Sequence, residues 1–237
     1  MSRPFVSVVT PTYNRGRFFP SLVACYQAQL YPKDRMEWIV LDDGTEPVGE
    51  LFTQLTKGLP NIRYIRLEEK INIGAKRNRL HDEAKGEIIV AMDDDDYYPP
   101  ERVSHVVTKF QSNPKIDLAG SSELYMYFTQ QAVIIKLGPY HERHATNGTM
   151  ACRKRYANTH RYDETVTHAE EVSFLEKYVH PMIQLDPMKV MLVISHSQNT
   201  FGKERFLTEE SPFVKRTALK IRDFIKDKKL REFYSTA

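Results

Sequence analysis

Four consecutive aspartates, Asp93-Asp94-Asp95-Asp96, follow directly on the apolar run Ile88-Ile89-Val90-Ala91-Met92. Adjacent carboxylates repel one another strongly unless a cation sits among them. Hard divalent cations take oxygen ligands, and Mg²⁺ is commonly held by one or two carboxylates together with substrate phosphates. The quartet therefore points to a site for a metal and a diphosphate. The competing reading is a solvated acidic turn before Pro99-Pro100, since charge runs usually lie exposed. Two further polar clusters also follow apolar runs: Thr10-Pro11-Thr12-Tyr13-Asn14-Arg15 and Asp42-Asp43-Gly44-Thr45. Either one alone reads as a turn. Three together, at the carboxyl ends of parallel strands, line one edge of a sheet, which is where open α/β sheets bind ligands.

The elements that must position these clusters are legible from periodicity. Residues 5–10 read as a strand stopped by Pro11, and residues 17–30 as a helix with Leu22, Val23, Tyr26 and Leu30 on one face. Residues 38–41, 61–67 and 87–92 read as further strands, and residues 48–55 and 74–84 as helices. This alternation predicts an α/β fold, a mostly parallel, Rossmann-like sheet flanked by helices on both faces. Beyond Pro100, which suits the first turn of a helix to about Phe110, the pattern becomes mixed. Residues 125–129 and 132–137 read as paired strands, 149–156 and 168–178 as helices, and 190–194 as a strand, so a smaller mixed sheet is expected in the second half. In the tail, Val214, Ala218, Ile221 and Ile225 fall on one helical face, with many lysines and arginines opposite. The expected organisation is a single domain over residues 1–211, in two halves (1–96 and 97–211), followed by a basic helical tail (212–237).

Composition narrows the function classes. A net charge of +3 is too small to argue for a nucleic-acid partner, and two cysteines, Cys25 and Cys152, make no disulfide framework. The start leads into a strand rather than a signal peptide's apolar core, and no run reaches the roughly 18 apolar residues that a membrane span needs. A cytoplasmic protein is expected. Docking of the basic tail on an anionic membrane surface is a second possibility; the blander one is a helix packed on its own domain. Asn147-Gly148-Thr149 matches a glycosylation acceptor and is read as chance.

Taken in order, the motifs resemble a family 2 glycosyltransferase of the GT-A fold. The matching pieces are Ser7-Val8-Val9-Thr10-Pro11-Thr12-Tyr13-Asn14-Arg15, Val40-Leu41-Asp42-Asp43-Gly44-Thr45, Gly74-Ala75-Lys76-Arg77-Asn78, Met92-Asp93-Asp94-Asp95-Asp96 and, later, Glu170-Glu171-Val172-Ser173-Phe174. The resemblance spans about residues 5–200 and implies that residues 1–211 are one catalytic domain, with a nucleotide-binding half (1–96) and an acceptor-binding half (97–211). It implies a metal-dependent, inverting transfer of a sugar from a nucleoside-diphosphate donor to a hydroxyl of a saccharide, lipid-linked or protein-linked acceptor. It further implies that Thr10, Pro11 and Tyr13 wall the nucleotide base, with Arg15 beside them. Asp43 would accept from a ring N–H of the base, which favours a UDP or dTDP donor, and Lys76 and Arg77 would approach the nucleotide. Asp93-Asp94-Asp95 is similar to the family's DXD element. Asp95 is then the foremost ligand of Mn²⁺ or Mg²⁺, Asp93 serves the ribose or the metal, and Asp94 serves the nucleotide. His196, after the last strand and within His196-Ser197-Gln198-Asn199-Thr200, is placed as an additional metal ligand, imidazole suiting Mn²⁺ better than Mg²⁺. The other histidines read as surface or packing residues.

An inverting transfer needs a carboxylate to take the acceptor's proton. The family's usual Glu-Asp pair is here Glu170-Glu171, a departure that leaves the role between Glu171, the expected base, and Glu170. Acceptor contacts are expected near Gly148, Thr149 and Met150. Rival readings are a non-catalytic nucleotide-sugar binder and a sugar nucleotidyltransferase. The latter would normally carry a Gly-rich loop after the first strand, and residues 10–15 have no glycine.

Overall fold

The structure is a computed structural model that describes residues 3–167, 169–197, 199, 202–208 and 210–237. Its first half alternates as the apolar pattern demands: β1 (Val6–Thr12), α1 (Phe19–Gln27), β2 (Met36–Asp42), α2 (Gly49–Leu55), β3 (Ile62–Arg66), α3 (Ile73–Glu83) and β4 (Ile88–Ala91). The four strands run parallel in the order β3-β2-β1-β4. The carboxyl ends of β1, β2 and β4 therefore lie side by side, and each bears one of the three polar clusters.

Pro11 does not stop β1. It pairs with Leu41 of β2, and the strand ends only at Thr12. The reason is the stagger of the sheet. The Val9 carbonyl faces β4 and accepts from Met92 N–H at 3.0 Å. Pro11, two residues on, turns the same way, but β4 has already ended, so no ladder partner is lost to its missing N–H. Behind this edge Trp38 stacks on Tyr26 (centroids 4.6 Å apart), meets Phe52 edge-on at 4.9 Å, and donates from Nε1 to Thr10 Oγ1 at 3.0 Å. Such aromatic pairs each contribute about 0.5–1.5 kcal/mol beyond the area they bury.

The second half contains α4 (Arg102–Ser112), β5 (Leu118–Gly120), the hairpin β6 (Leu124–Phe128) and β7 (Val133–Leu137), β8 (Ala151–Arg153), α5 (Lys154–Ala157), α6 (Glu171–Phe174), β9 (Met182–Gln184), β10 (Leu192–Ser195), β11 (Val214–Arg216), α7 (Ile221–Phe224) and α8 (Lys228–Ser235). β8 lies antiparallel between β4 and β5, and β9 runs parallel to β5, which completes a seven-stranded sheet. A second, four-stranded sheet has the order β10-β6-β7-β11.

Three sequence expectations are corrected here. Residues 149–156 do not form a helix: Ala151, Cys152 and Arg153 pair with Val90, Ile89 and Ile88, and a short helix begins only at Lys154. Met150 and Cys152 pack into one apolar cluster and Ala151 into another, the two-residue alternation of a strand. The expected helix over 168–178 shrinks to Glu171–Phe174, because Glu176, Lys177 and Tyr178 take left-handed φ values of 44°, 56° and 65°; His168 lies outside the described residues. The tail is not one amphipathic helix but β11 followed by two short helices. Ile225 and Tyr234 are fully buried in it, and the Tyr234 hydroxyl donates to the Asp96 carbonyl at 3.0 Å. No helix among the described residues is long and apolar enough to cross a membrane.

On the inner face of α3, His81 is buried against Tyr162 and Phe174, and its Nδ1 has no partner among the described residues. Burial, with Arg77 nearby, lowers its pKa to about 3. The unfolded chain takes up the proton near the ordinary value of about 6.5, whereas the folded chain refuses it, so stability is full above that value and declines as pH falls from there towards 3. Urea unfolding at pH 7 and at pH 5 is expected to show this loss. His81→Leu is expected to flatten the dependence between those two pH values.

Candidate active site

The chain leaves β4 into Asp93, whose backbone N–H donates to the Tyr98 hydroxyl at 2.6 Å. From there the four aspartates diverge, and their mutual repulsion is relieved in different ways. Asp96 turns inward, where Oδ1 accepts from Ile194 N–H at 2.9 Å. Burial, reinforced by Asp95, raises its pKa to about 8. Asp94 is also driven well above the usual carboxylate range by burial and then by Asp95. Asp95 goes the other way. Although burial opposes ionisation, His196 Nε2 at 3.2 Å and the charges of Lys203 and Arg15 hold its carboxyl below the usual range. Asp93 faces Arg77, with Nη1 to Oδ1 at 3.0 Å and Nη2 to Oδ2 at 3.3 Å.

A cleft of about 220 Å³ opens over these groups, lined by Pro11, Thr12, Tyr13, Arg15, Ile73, Lys76, Arg77, Asp93, Asp94 and Asp95. On its β2 side the Lys76 ammonium donates to Asp43 Oδ1 and to the Thr12 carbonyl, while Asp43 Oδ2 accepts from Ile71 N–H at 2.9 Å. Burial lowers the Lys76 pKa, and Asp43 works against that shift. The Tyr13 ring carries the Lys70 ammonium 4.1 Å from its centroid. The Arg15 Nε lies 3.8 Å from Asp95 Oδ2. The cleft thus combines an aromatic wall with cations and carboxylates at the carboxyl edge of the sheet.

Arg77 does more than line it. Its Nε donates to Glu170 Oε1 at 2.9 Å, so one guanidinium ties the aspartate loop to the segment that opens α6. Despite burial, Asp93 and Glu170 keep this side chain firmly protonated. Asn147 completes the link. Its Oδ1 accepts from the Tyr162 hydroxyl at 3.0 Å, which orients Nδ2 towards Glu170 Oε1 at 2.8 Å and Glu171 Oε2 at 3.1 Å. Glu170 is consequently held by two charged or amide side-chain donors and nearly enclosed, whereas Glu171 is held by the Asn147 amide and its own backbone N–H. Burial raises the Glu171 pKa, and the neighbouring Glu170 adds to that shift.

Beneath the loop, Arg102 is fully buried, and its Nη2 donates to the carbonyls of Ala91 (3.1 Å), Gly148 (3.3 Å) and Met150 (2.8 Å). Burial brings its pKa down to about 10. This clamp fixes the end of β4 against residues 148–150. A Cβ on Gly148 would sit 3.4 Å from Asp93 Oδ2, so the glycine backs directly onto the aspartate loop.

Of the residues expected from sequence, Pro11, Tyr13, Arg15, Lys76, Arg77, Asp93, Asp94 and Asp95 share the cleft, with Asp43 locked behind Lys76. Glu170 and Glu171 join through Arg77 and Asn147, and His196 joins through Asp95. Three expectations need correction. Thr10 is fully buried, and its hydroxyl is spent between the Met92 carbonyl (2.6 Å) and Trp38 Nε1, so it walls nothing. The Thr149 hydroxyl donates to the Thr146 carbonyl at 2.8 Å and accepts from Ser121 N–H at 3.1 Å, and Met150 belongs to the core; both support the site from within rather than facing an acceptor. Asp93 is turned to Arg77, so among the described residues Asp93, Asp95 and His196 do not converge as three ligands. Gln198 and Thr200 of the expected polar run lie outside the described residues. Asn147, Tyr162, Arg102 and Asn199, whose Nδ2 lies 2.9 Å from His196 Nε2, were not singled out for the site. Nothing in their spacing marks Asn147, Tyr162 and Arg102, because each acts through contacts made across long stretches of chain; Asn199 acts on its near neighbour His196.

Asp95 and His196 suit a divalent cation. One carboxylate held below the usual range and one imidazole lie together beside a cleft that also holds cations, a donor set that Mn²⁺ accepts when further oxygens fill the remaining positions.

Fold and cleft together define an α/β protein that gathers carboxylates and cations at the carboxyl edge of its sheet, the architecture of GT-A glycosyltransferases. The sequence pattern of Glycosyl transferase family 2 matches residues 7–164, and the chain belongs to that family. Among curated relatives it is similar to the glycosyltransferase AglE of Haloferax volcanii, 26% identical over 125 residues, which are 52% of this chain and 41% of that protein. It is likewise similar to the putative teichuronic acid biosynthesis glycosyltransferase TuaG of Bacillus subtilis, 28% identical over 102 residues, which are 43% of this chain and 40% of that protein. The matched region thus spans about two fifths of these relatives. Among solved structures it resembles S. aureus TarS 1-349 in complex with UDP-GlcNAc (TM-score 0.68, 19% identity, 82% of this chain and 60% of that one). It also resembles the mannosyltransferase PcManGT from Pyrobaculum calidifontis in complex with GDP-Man and Mn²⁺ (TM-score 0.67, 16% identity, 84% and 59%).

Proposed function

We propose that this protein transfers a sugar from a nucleoside-diphosphate donor to an acceptor hydroxyl, with inversion at the anomeric carbon and dependence on Mn²⁺ or Mg²⁺. The observation that carries this reading is the cleft in which Asp93, Asp94 and Asp95 face Lys76, Arg77 and Arg15, joined by Arg77 to the carboxylates of Glu170 and Glu171. Complexes of the two structural neighbours with UDP-GlcNAc and with GDP-Man and Mn²⁺ support a nucleotide-sugar donor.

The base packs beside Tyr13 and Pro11. Asp43 is held by Lys76 and Ile71 N–H, but a carboxylate offers about four lone-pair sites. Once Lys76 turns aside, Asp43 would have capacity for a ring N–H of the base, which favours uracil or thymine. A divalent ion held by Asp95 and His196 would supply charge compensation to the leaving diphosphate. Glu171 takes the acceptor hydroxyl's proton as that oxygen attacks the face opposite the leaving group. The cleft's main contribution is alignment of the two substrates. The acceptor is a saccharide, lipid-linked or protein-linked hydroxyl.

The test is a screen of nucleotide-sugars with Mn²⁺ or Mg²⁺ that reads nucleotide release, beside calorimetry with the free nucleotides. Metal-dependent release from UDP- or dTDP-sugars is expected. Tight nucleotide binding without turnover for any donor and acceptor would replace the enzyme by a binder.

A further inference from the structure

Around Tyr156, outside the residues that line the cleft, three donors meet that the transfer reaction does not use. His160 follows α5, and Glu176 and His180 lie in the irregular segment after α6. The candidate ligand atoms of His160, Glu176 and His180 all lie within 4.8 Å of one another. His180 Nε2 is 2.8 Å from Glu176 Oε2, and His160 Nε2 is 3.7 Å from Glu176 Oε1. We propose that these three residues form a second metal site, one for a zinc-type transition-metal ion, separate from the aspartate cleft.

Three features support the assignment. First, the His160 ring is oriented as a ligand. Its Nδ1 lies 3.1 Å from the Tyr156 carbonyl, which can only accept, and 2.9 Å from the Thr159 hydroxyl, which can do either; with the hydrogen on Nδ1, Nε2 turns its lone pair towards Glu176. A backbone carbonyl on the remote ring nitrogen is the usual arrangement behind a metal-bound imidazole. Second, the rings are fixed. His160 stacks on Tyr156 at 3.8 Å with an interplanar angle of 2°, and His180 meets both Tyr156 and His160 edge-on, at 5.4 Å and 4.9 Å. Third, the donor set is selective. Two imidazoles and a carboxylate suit Zn²⁺ and its neighbours in the first transition row rather than Mg²⁺ or Ca²⁺. Tetrahedral Zn²⁺ with bonds of about 2.0–2.1 Å needs donors roughly 3.3 Å apart. Glu176 is exposed and the two imidazoles are partly buried, so small rotations, chiefly of the Glu176 carboxylate, would bring the donors to that spacing.

The site also has a structural task. Glu176 opens the left-handed run Glu176-Lys177-Tyr178, a conformation that non-glycine residues hold only when their surroundings impose it. The turn is hydrogen-bonded back to α6, through Leu175 N–H to the Glu171 carbonyl and Tyr178 N–H to the Leu175 carbonyl, both at 2.8 Å. An ion bridging His160 to Glu176 and His180 would staple this turn to the end of α5, and with it the segment bearing Glu170 and Glu171. The site itself does not rest on the transferase reading.

Cobalt substitution tests it, because tetrahedral Co²⁺ bound to imidazole absorbs in the visible. Titration of the full chain with Co²⁺ is expected to give one equivalent of such absorption, bleached by Zn²⁺. The band is expected to survive in Asp95→Asn and to be lost in His160→Gln and in His180→Gln, with melting temperature and Mn²⁺ binding unchanged in the two histidine variants to show an intact fold. Zn²⁺ is also expected to slow amide exchange across residues 171–180 in the wild type only. Absence of the band in the wild type, its persistence in both histidine variants, or its loss in Asp95→Asn would overturn the proposal.

Discussion

Asp95→Ala is expected to slow sugar transfer by at least about a thousand-fold, since removing a metal's charge compensation from a leaving diphosphate forfeits several kcal/mol of transition-state stabilisation. The argument rests on how the quartet divides its charge. Asp94 and Asp96 are pushed towards the protonated form by burial and by Asp95, and Asp93 is engaged by Arg77. Asp95 alone is drawn below the ordinary range while standing in the cleft beside His196. It is therefore the quartet's available anionic ligand. Mn²⁺ affinity, read by paramagnetic resonance or calorimetry, is expected to collapse in the same variant while the melting temperature is kept or rises. Asp96→Asn is the matched control. With a pKa of about 8, Asp96 is largely neutral at pH 7, and asparagine preserves its acceptor for Ile194 N–H, so transfer is expected to stay within about tenfold, on the order of 1.4 kcal/mol. Equal losses in the two variants would remove the distinction between ligand and support, and full activity in Asp95→Ala would remove Asp95 from the site.

What could be read from the sequence follows the length of each apolar run. β1, β2 and β4 each carry a run of apolar residues (Val8-Val9, Trp38-Ile39-Val40-Leu41 and Ile88-Ile89-Val90-Ala91) followed by polar groups at one edge, so both the parallel sheet and the meeting of Tyr13, Asp43 and Asp95 there were legible. β5, β8 and β9 have three residues each, too few for a period to show; they are strands because neighbours are present to pair with them. Thr10 was misjudged because a hydroxyl looks the same whether it faces a ligand or ties Met92 to Trp38. The tail shows the converse. Val214, Ala218, Ile221 and Ile225 fit a helical stripe, but β7 offers an open edge to residues 214–216, and pairing with it outweighs the local preference. Asn147 was visible only as a chance glycosylation match, although it holds both candidate bases. Its importance comes from residues 23 and 24 positions further along the chain.

The two glutamates are separated by what they already touch. Glu170 answers Arg77 and Asn147 and is nearly enclosed, so Glu170→Gln weakens a buried charge pair. It is expected to lower stability by about 2 kcal/mol, a charged hydrogen bond's worth, and to raise the KM for the donor through the loosened Asp93 loop. Glu171 is held by the Asn147 amide and its own backbone N–H, without a paired cation as close as Arg77 is to Glu170, and carries a raised pKa, which brings a carboxylate closer to the range where a general base is effective at neutral pH. Glu171→Gln keeps the shape and the link to Asn147 but cannot accept a proton. Its kcat is expected to fall about 10²- to 10⁴-fold, with donor KM and melting temperature unchanged. The sign of the pH dependence follows from the same shift. The base works only when ionised, so wild-type kcat should rise with pH through a pKa above the ordinary glutamate value and level off beyond it. That limb should vanish from the residual activity of Glu171→Gln. A Glu170→Gln protein that is stable, binds donor normally and has lost the limb would transfer the role of base to Glu170, leaving Glu171 as the residue that positions it.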